Sequence, residues 1–296
     1  MDEASAPLRG VATLKTRTAN PGTMHGAGRW WVLAAVTIGL LLFLAPFVLA
    51  FFNAIKTPDD YAAHGPLAIP QSFDLSALTA FWTNVDFTRK LINSTIISAA
   101  TAVFAVLLSL LNAYAIGIGR IKGGSKILIL LLIGIMIPQE SLVYPIYYLS
   151  KSVGLFDSLW AVIIVFSVLQ SAFGTYLLAS VMTTFPREII EAAEMDGATN
   201  WQILWTIVVP VLRPTLSVLA TFFFIWTWNE FLLPLVLLAS NNNQTVSVSM
   251  GVLNGQYVST PTTTAAAALL GIAPTLIFFL IFQRTLTRGV VVGAIK

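Results

Sequence analysis

The chain has 296 residues, 57 % hydrophobic and only 10 % charged, with a mean hydropathy of +0.83. An ordinary soluble domain carries roughly 25 % charged residues, so 16 Lys+Arg and 13 Asp+Glu are too few to coat a soluble particle of this length. The 19 Phe and 8 Trp exclude a disordered chain, and the lack of Cys excludes disulfides, thiol nucleophiles and thiolate metal sites. The net charge of +3 is scattered and forms no nucleic-acid patch. The composition is that of an all-α integral membrane protein.

About 20 apolar residues are needed to cross the hydrocarbon as a helix. Runs of that kind lie at residues 30–52, 91–119, 127–149, 159–182, 207–238 and 264–282. Six spans put both termini on one side. That side receives Arg9, Lys15, Arg17, Arg29, Arg120, Lys122, Lys126, Arg187, Arg284, Arg288 and Lys296, against Lys56, Arg89, Lys90 and Lys151 on the other. The basic-rich side reads as cytoplasmic, with both termini inside. The organisation expected is a cytoplasmic tail at 1–29, a first helix and outside loop at 30–90, a membrane core at 91–283 and a cytoplasmic tail at 284–296. The first run is too long for a signal peptide and lacks a small-residue cleavage site. His25 and His64 fall on opposite sides, so no metal cluster is expected.

The outside loop between spans one and two predicts a short amphipathic helix near residues 75–82. The uncharged Asn241–Asn243 segment, with Gln244 and Thr245, and the stretch from Gly251 to Tyr257 are candidate contacts for an external protein.

The connector between spans four and five, residues 185–205, is longer than a turn requires. Pro186 suits the first turn of a helix, Glu188, Glu191 and Glu194 repeat every third residue, and Gly197 ends it. Asn200 can cap a second stretch carrying Trp201, Ile203, Leu204 and Trp205. An interfacial helix on lipid headgroups is one reading. Such helices are usually basic, whereas here Glu188, Glu191, Glu194 and Asp196 face one base, Arg187. A docking helix for a soluble cytoplasmic partner accounts better for the acidity.

Within the bilayer, ionisable and amide groups are expensive unless they are paired or line a cavity. Gln139 and Glu140 follow Pro138 in span three; Trp228, Asn229 and Glu230 lie deep in span five, before Pro234. Aromatic faces beside amides and carboxylates suit a neutral sugar; the same groups could instead fasten neighbouring helices. Asn93, Asn112 and Gln170 read as packing or interhelical hydrogen bonds.

Glu191-Ala192-Ala193, then Gly197, Ile207 and Pro210, resembles the EAA signature of the membrane subunits of ABC importers, with Val209 where Leu is usual. Pro186-Arg187-Glu188, Pro138-Gln139-Glu140, Ala172-Phe173-Gly174, Arg213-Pro214, Trp228-Asn229-Glu230-Phe231 and Gln283-Arg284 are similar to the carbohydrate branch, the second permease of a maltose-type pair. The resemblance runs from about residue 91 to 296. It implies the type I permease fold in a prokaryotic inner membrane, with a companion permease, two ATP-hydrolysing subunits and an extracytoplasmic binding protein as partners. ATP and Mg would be held by the ATPase subunits, with no cofactor or metal in this chain and no enzymatic activity of its own. Glu188, Glu191, Ala192, Ala193, Asp196, Gly197 and Pro210 would form the coupling contact, Ala192 and Ala193 permitting close approach. Gln139, Glu140, Trp228, Asn229 and Glu230 remain the candidates for the substrate path. Importers of polyols, glycerophosphodiesters or amino acids, and an ion-coupled secondary transporter, are the alternatives.

Overall fold

The computed structural model describes residues 27–119, 121–252 and 260–294; side chains are described as far as Gln283. The 1–26 tail, Arg120, the stretch from 253 through Tyr257 and Lys296 lie outside the described residues. Two units are separated, Met1–Pro46 and Phe47–Lys296.

Helix α1, Ala27–Ala54, is apolar on every side. In the first unit its Trp30, Trp31 and Phe43 are exposed, as a helix solvated by lipid requires. The remaining elements belong to the second unit. Short helices α2, Pro58–His64, and α3, Ser76–Asn84, occupy the loop that follows. Then come α4, Phe87–Gly117, and α5, Gly124–Met136. A 3₁₀ turn at Gln139–Leu142 leads into α6, Val143–Ser152, and α7, Leu159–Met182, follows.

The connector contains α8, Arg187–Met195, and the single turn α9, Asn200–Gln202. A π turn at Ile203–Val208 runs into α10, Val209–Asn229. Helix α11, Leu232–Leu237, a 3₁₀ turn at Asn241–Asn243, α12, Val246–Gly251, and α13, Pro261–Ala294, complete the chain. No strand occurs among the described residues. Among the described residues five helices are long and apolar enough to span a bilayer, and the bent pair Gly124–Met136 with Gln139–Ser152 makes six if it counts as one span.

Two expected spans are not continuous. In the third, Pro138 has no N–H and crowds the carbonyl four residues back. Helix α5 therefore stops at Met136, and the chain bends by 90° into the following helical segment. In the fifth, Pro234 acts the same way on Glu230, which adopts an extended backbone (ψ 134°) and separates α10 from α11.

Helices α4 and α7 pack along their length through small residues. Ala102, Ala105, Ser109 and Ala113 meet a face of α7 that includes Ser171, Gly174, Leu178 and Ala179. At Gly174 the approach is closest. A Cβ there would stand 2.2 Å from Ser109 Oγ and 2.8 Å from Ser109 Cβ. Ser109 Oγ is itself hydrogen-bonded to the carbonyls of Ala105 (2.6 Å) and Ser171 (3.2 Å). Small residues with satisfied hydroxyls are what allow helices to associate in lipid, where burial gives no net apolar gain. Leu219 and Phe223 of α10 complete this core.

One end of the core is tied by polar contacts from distant parts of the sequence. Lys90 Nζ donates to the carbonyl and side-chain oxygen of Asn241. Arg89 donates to Asn242 O at 3.0 Å, and Asn93 donates to Asn242 O and Gln244 O at 2.8 and 3.0 Å. The same loop reaches Asp157, whose Oδ1 accepts the N–H and hydroxyl of Ser240 at 2.9 and 3.1 Å. Asp157 sits in the left-handed region (φ 58°), a conformation that Asp tolerates better than most residues. In the loop after α1, Lys56 is wholly buried and donates to Asn53 Oδ1 and Gly65 O. The starts of α4 and α7 thus meet at this end. Their ends meet at the other, where a Cβ on Gly117 would lie 2.8 Å from Met182 Cβ. The two helices run parallel, as the alternating span order requires.

A candidate coupling loop and membrane cavities

Helix α8 begins one residue later than expected, after Pro186. It ends in a Schellman motif: Ala198 N–H bonds Ala193 O and Gly197 N–H bonds Glu194 O, both at 3.0 Å. The motif needs a left-handed residue, and Gly197 supplies it at φ +80° with open space where a Cβ would be. Glycine is required here for conformation rather than for clearance. Thr199, not Asn200, caps the next turn. Its hydroxyl accepts from Gln202 N–H while Gln202 Oε1 accepts from Thr199 N–H, a reciprocal box that Asn200 cannot form with its own position.

The chain then winds into the π turn, in which Val209 N–H reaches Leu204 O, five residues back. Pro210, the first proline of α10, cannot donate to the preceding turn, which favours the wider winding. Ala193 is the buried member of the motif and packs with Ile203, Leu204 and Met182. Glu188, Glu191, Ala192, Glu194, Asp196 and Pro210 are exposed, and Met195 is 88 % exposed at the tip. Trp201 and Trp205 meet edge to face at 5.6 Å. A cleft of about 200 Å³ separates the base of α8 from the ends of α4 and α7, with Gly117, Phe185, Arg187 and Glu191 among its walls. The result is an acidic prong with an apolar tip, seated on the core by Ala193 and the half-buried Ile190.

The membrane candidates fall into two places. Gln139 is half-buried and lines a cavity of about 430 Å³ together with Pro138, Phe173, Gln170 and Trp226. Glu140 follows it in the 3₁₀ turn and is exposed. Trp228 and Asn229 line a different cavity of about 370 Å³ against α12 and α13. Trp228 is buried there, stacked on Phe224 at 5.9 Å and meeting Phe278 edge on at 5.0 Å. Asn229 donates to Ile225 O at 2.7 Å, and Glu230 is half-buried at the α10 break. The five residues do not converge on one pocket.

The arrangement is shared with known proteins. The chain matches the family described as "Binding-protein-dependent transport system inner membrane component" over residues 75–292. It belongs to that family. Among other members of these transport systems, it is 31 % identical to the trehalose transport system permease protein SugB of Mycobacterium tuberculosis, over 90 % of this chain and 97 % of the other. It is 28 % identical to the probable ABC transporter permease protein YurM of Bacillus subtilis, over 90 % and 91 % of the two chains. A chain in the crystal structure of a bacterial ABC transporter for import of the acidic polysaccharide alginate superposes with a TM-score of 0.74 at 21 % identity, covering 89 % of this chain and 99 % of that one. The all-α fold of these inner membrane components is therefore the fold of this chain. From the sequence, Trp226 reads with Trp228 as an aromatic face beside Asn229 and Glu230, and Gln170 as a packing or interhelical hydrogen-bonding residue. Neither lies in a distinctive motif, and only the fold brings them beside Gln139.

Proposed function

We propose that this chain is the permease subunit of an ATP-driven importer that passes a sugar or oligosaccharide across the inner membrane. The observation that carries the reading is the α8 prong: a capped, glycine-terminated helix with exposed acids and an exposed apolar tip, held at one end of a tightly packed helix core. The sugar-named relative SugB supports the substrate class. A companion permease would complete the path, and two ATP-hydrolysing subunits would each receive a prong. In this chain Glu188, Glu191, Glu194 and Asp196 would meet basic groups of the ATPase, with Ala192 at the closest approach and Ala193, Gly197 and Pro210 holding the geometry. ATP and Mg would be bound there and not here.

Closure of the ATPase pair would displace α8 as a unit. The π turn and α10 would carry that displacement to the opposite end, rocking the helices as rigid elements. The α8 end and both termini would be cytoplasmic. The end tied by Lys90, Asp157 and the Asn241–Asn243 turn would face the extracytoplasmic binding protein, with Asn241 and Asn242 exposed towards it. Gln139, Glu140, Trp228, Asn229 and Glu230 would border the path of the solute.

The test is affinity isolation of the complex in mild detergent, followed by reconstitution with the binding protein and a panel of saccharides, polyols and amino acids. Stimulation of ATP hydrolysis by a saccharide is expected. ATPase activity in the clean isolated chain, or stimulation by amino acids alone, would sink the reading.

A further inference from the structure

The segment between α2 and α3, residues 65–75, carries an apolar tip on a polar base. Leu67, Ile69 and Phe73 are 76, 74 and 71 % exposed, and no charged residue lies between Pro66 and Phe73. One exposed apolar side chain needs no explanation. Three in one short loop mark an interaction surface.

The base is pinned on both sides to the end of α1. Asn53 Nδ2 donates to Pro66 O at 3.1 Å, and the Asp74 N–H donates to Ile55 O at 2.9 Å. Buried Lys56 holds Gly65 O at 2.9 Å. Gln71 is turned back onto α2: its N–H donates to Asp60 Oδ2 at 3.1 Å, and its Nε2 lies 3.2 Å from His64 Nε2. The loop thus starts and finishes beside the same turn.

That turn marks the edge of the bilayer. The apolar run of α1 ends at Phe52, and Asn53 is the polar residue that follows, so the base sits where the helix leaves the hydrocarbon. Val48 and Phe51, just before it, are exposed apolar side chains, part of the surface that lipid solvates. The tip therefore emerges at the level of the membrane surface.

We propose that Leu67, Ile69 and Phe73 insert into the interface of the leaflet at which α1 ends, as a lipid anchor for α2 and α3. Uncharged apolar side chains at that level enter the boundary between headgroups and acyl chains. Taking one of them out of water shifts an equilibrium about tenfold or more. Helix α3 follows directly, and its Ala77 clusters with Ala54 of α1 and Ala266 of α13. The anchor accordingly holds the end of α1 and the start of α13 at the membrane surface, whatever solute is carried.

The test uses the whole complex, without binding protein, in vesicles of phosphatidylethanolamine and phosphatidylglycerol. The chain has no cysteine, so Ile69→Cys gives it a single nitroxide label, and the complex with the unsubstituted chain supplies the background. Collisions with oxygen, which dissolves in lipid, are compared with collisions with a water-soluble nickel chelate present on both sides of the bilayer. Position 69 should be open to oxygen. Its collisions with the chelate should be about tenfold fewer than those of Asn242→Cys, an exposed residue of a polar turn.

Exclusion of both reagents means that protein covers the tip, and overturns the proposal. Chelate access equal to that at position 242 places the tip in water and overturns it as well. Should Ile69→Cys fail to assemble, Leu67→Cys reads the same loop by the same criteria.

Discussion

Tyr114 donates its hydroxyl to the carbonyl of Asn200 at 3.1 Å, fastening the end of α4 to the turn that follows the α8 prong. The bond spans 86 residues of sequence and adds to the apolar seat of Ala193. Movement of the prong would pull on the end of α4 through this bond.

Gly197 is the first place to test that mechanical link. At φ +80° a side chain is strained by about 1–2 kcal/mol although space is free. Gly197→Leu should abolish saccharide-stimulated ATP hydrolysis in the reconstituted complex while the chain still inserts. Gly197→Asn, which tolerates the left-handed region, should retain part of it. Equal activity of both variants would show that the turn is dispensable.

Gly174 reports on core packing. A methyl group there overlaps Ser109, so Gly174→Ala should destabilise by about 1–3 kcal/mol. The check is thermal unfolding in detergent. Ser109→Gly in the same chain removes the obstructing atoms and should recover part of the loss. An unchanged melting temperature for the single variant contradicts the close approach.

Asp157 gives the loop knot a pH dependence. Burial raises its pKa, but hydrogen bonds donated by Ser240, Asn243 and Ala239 outweigh that, and the carboxyl is held below its ordinary value of 3.8. The unfolded chain then binds more protons in the interval between the two values. The group stabilises the fold fully above the ordinary carboxylate range, and the contribution disappears as pH falls through the depressed value. The melting-temperature gap between wild type and Asp157→Asn should accordingly be widest near neutrality and narrow as the pH falls below the ordinary carboxylate value. A gap that widens in acid has the wrong sign.

Orientation is open to a labelling test, since the chain contains no cysteine. In right-side-out vesicles, Asn242→Cys should react with a membrane-impermeant maleimide from outside. Met195→Cys, at the exposed prong tip, should react only after permeabilisation. Labelling of both from one side would overturn the topology.

What the sequence makes legible is local. Glycine, proline and acid spacing identify the α8 prong because its turn is built from neighbours within six residues. Pro138 and Pro234 likewise announce breaks, though not the 90° bend that the first produces. Lys90 with Asn241, and Gln170 with Thr227, are 151 and 57 residues apart. No periodicity encodes those meetings. Trp228 shows the limit from the other side: an aromatic beside an amide and an acid has the composition of a sugar platform, and only the fold shows that its ring also packs with Phe224 and Phe278.

The π turn at Ile203–Val208 makes chain length itself a mechanical variable. Winding with a bond five residues back stores one residue more than an α-helix would use over the same path. Deleting a single residue there could restore ordinary winding without breaking the helix. The segments on either side would then keep their relation to one another. A one-residue deletion in the ordinary α winding of α10 has no such spare residue, and it should rotate the Trp201 side by about 100° against the rest of the helix, turning the prong away from whatever it grips.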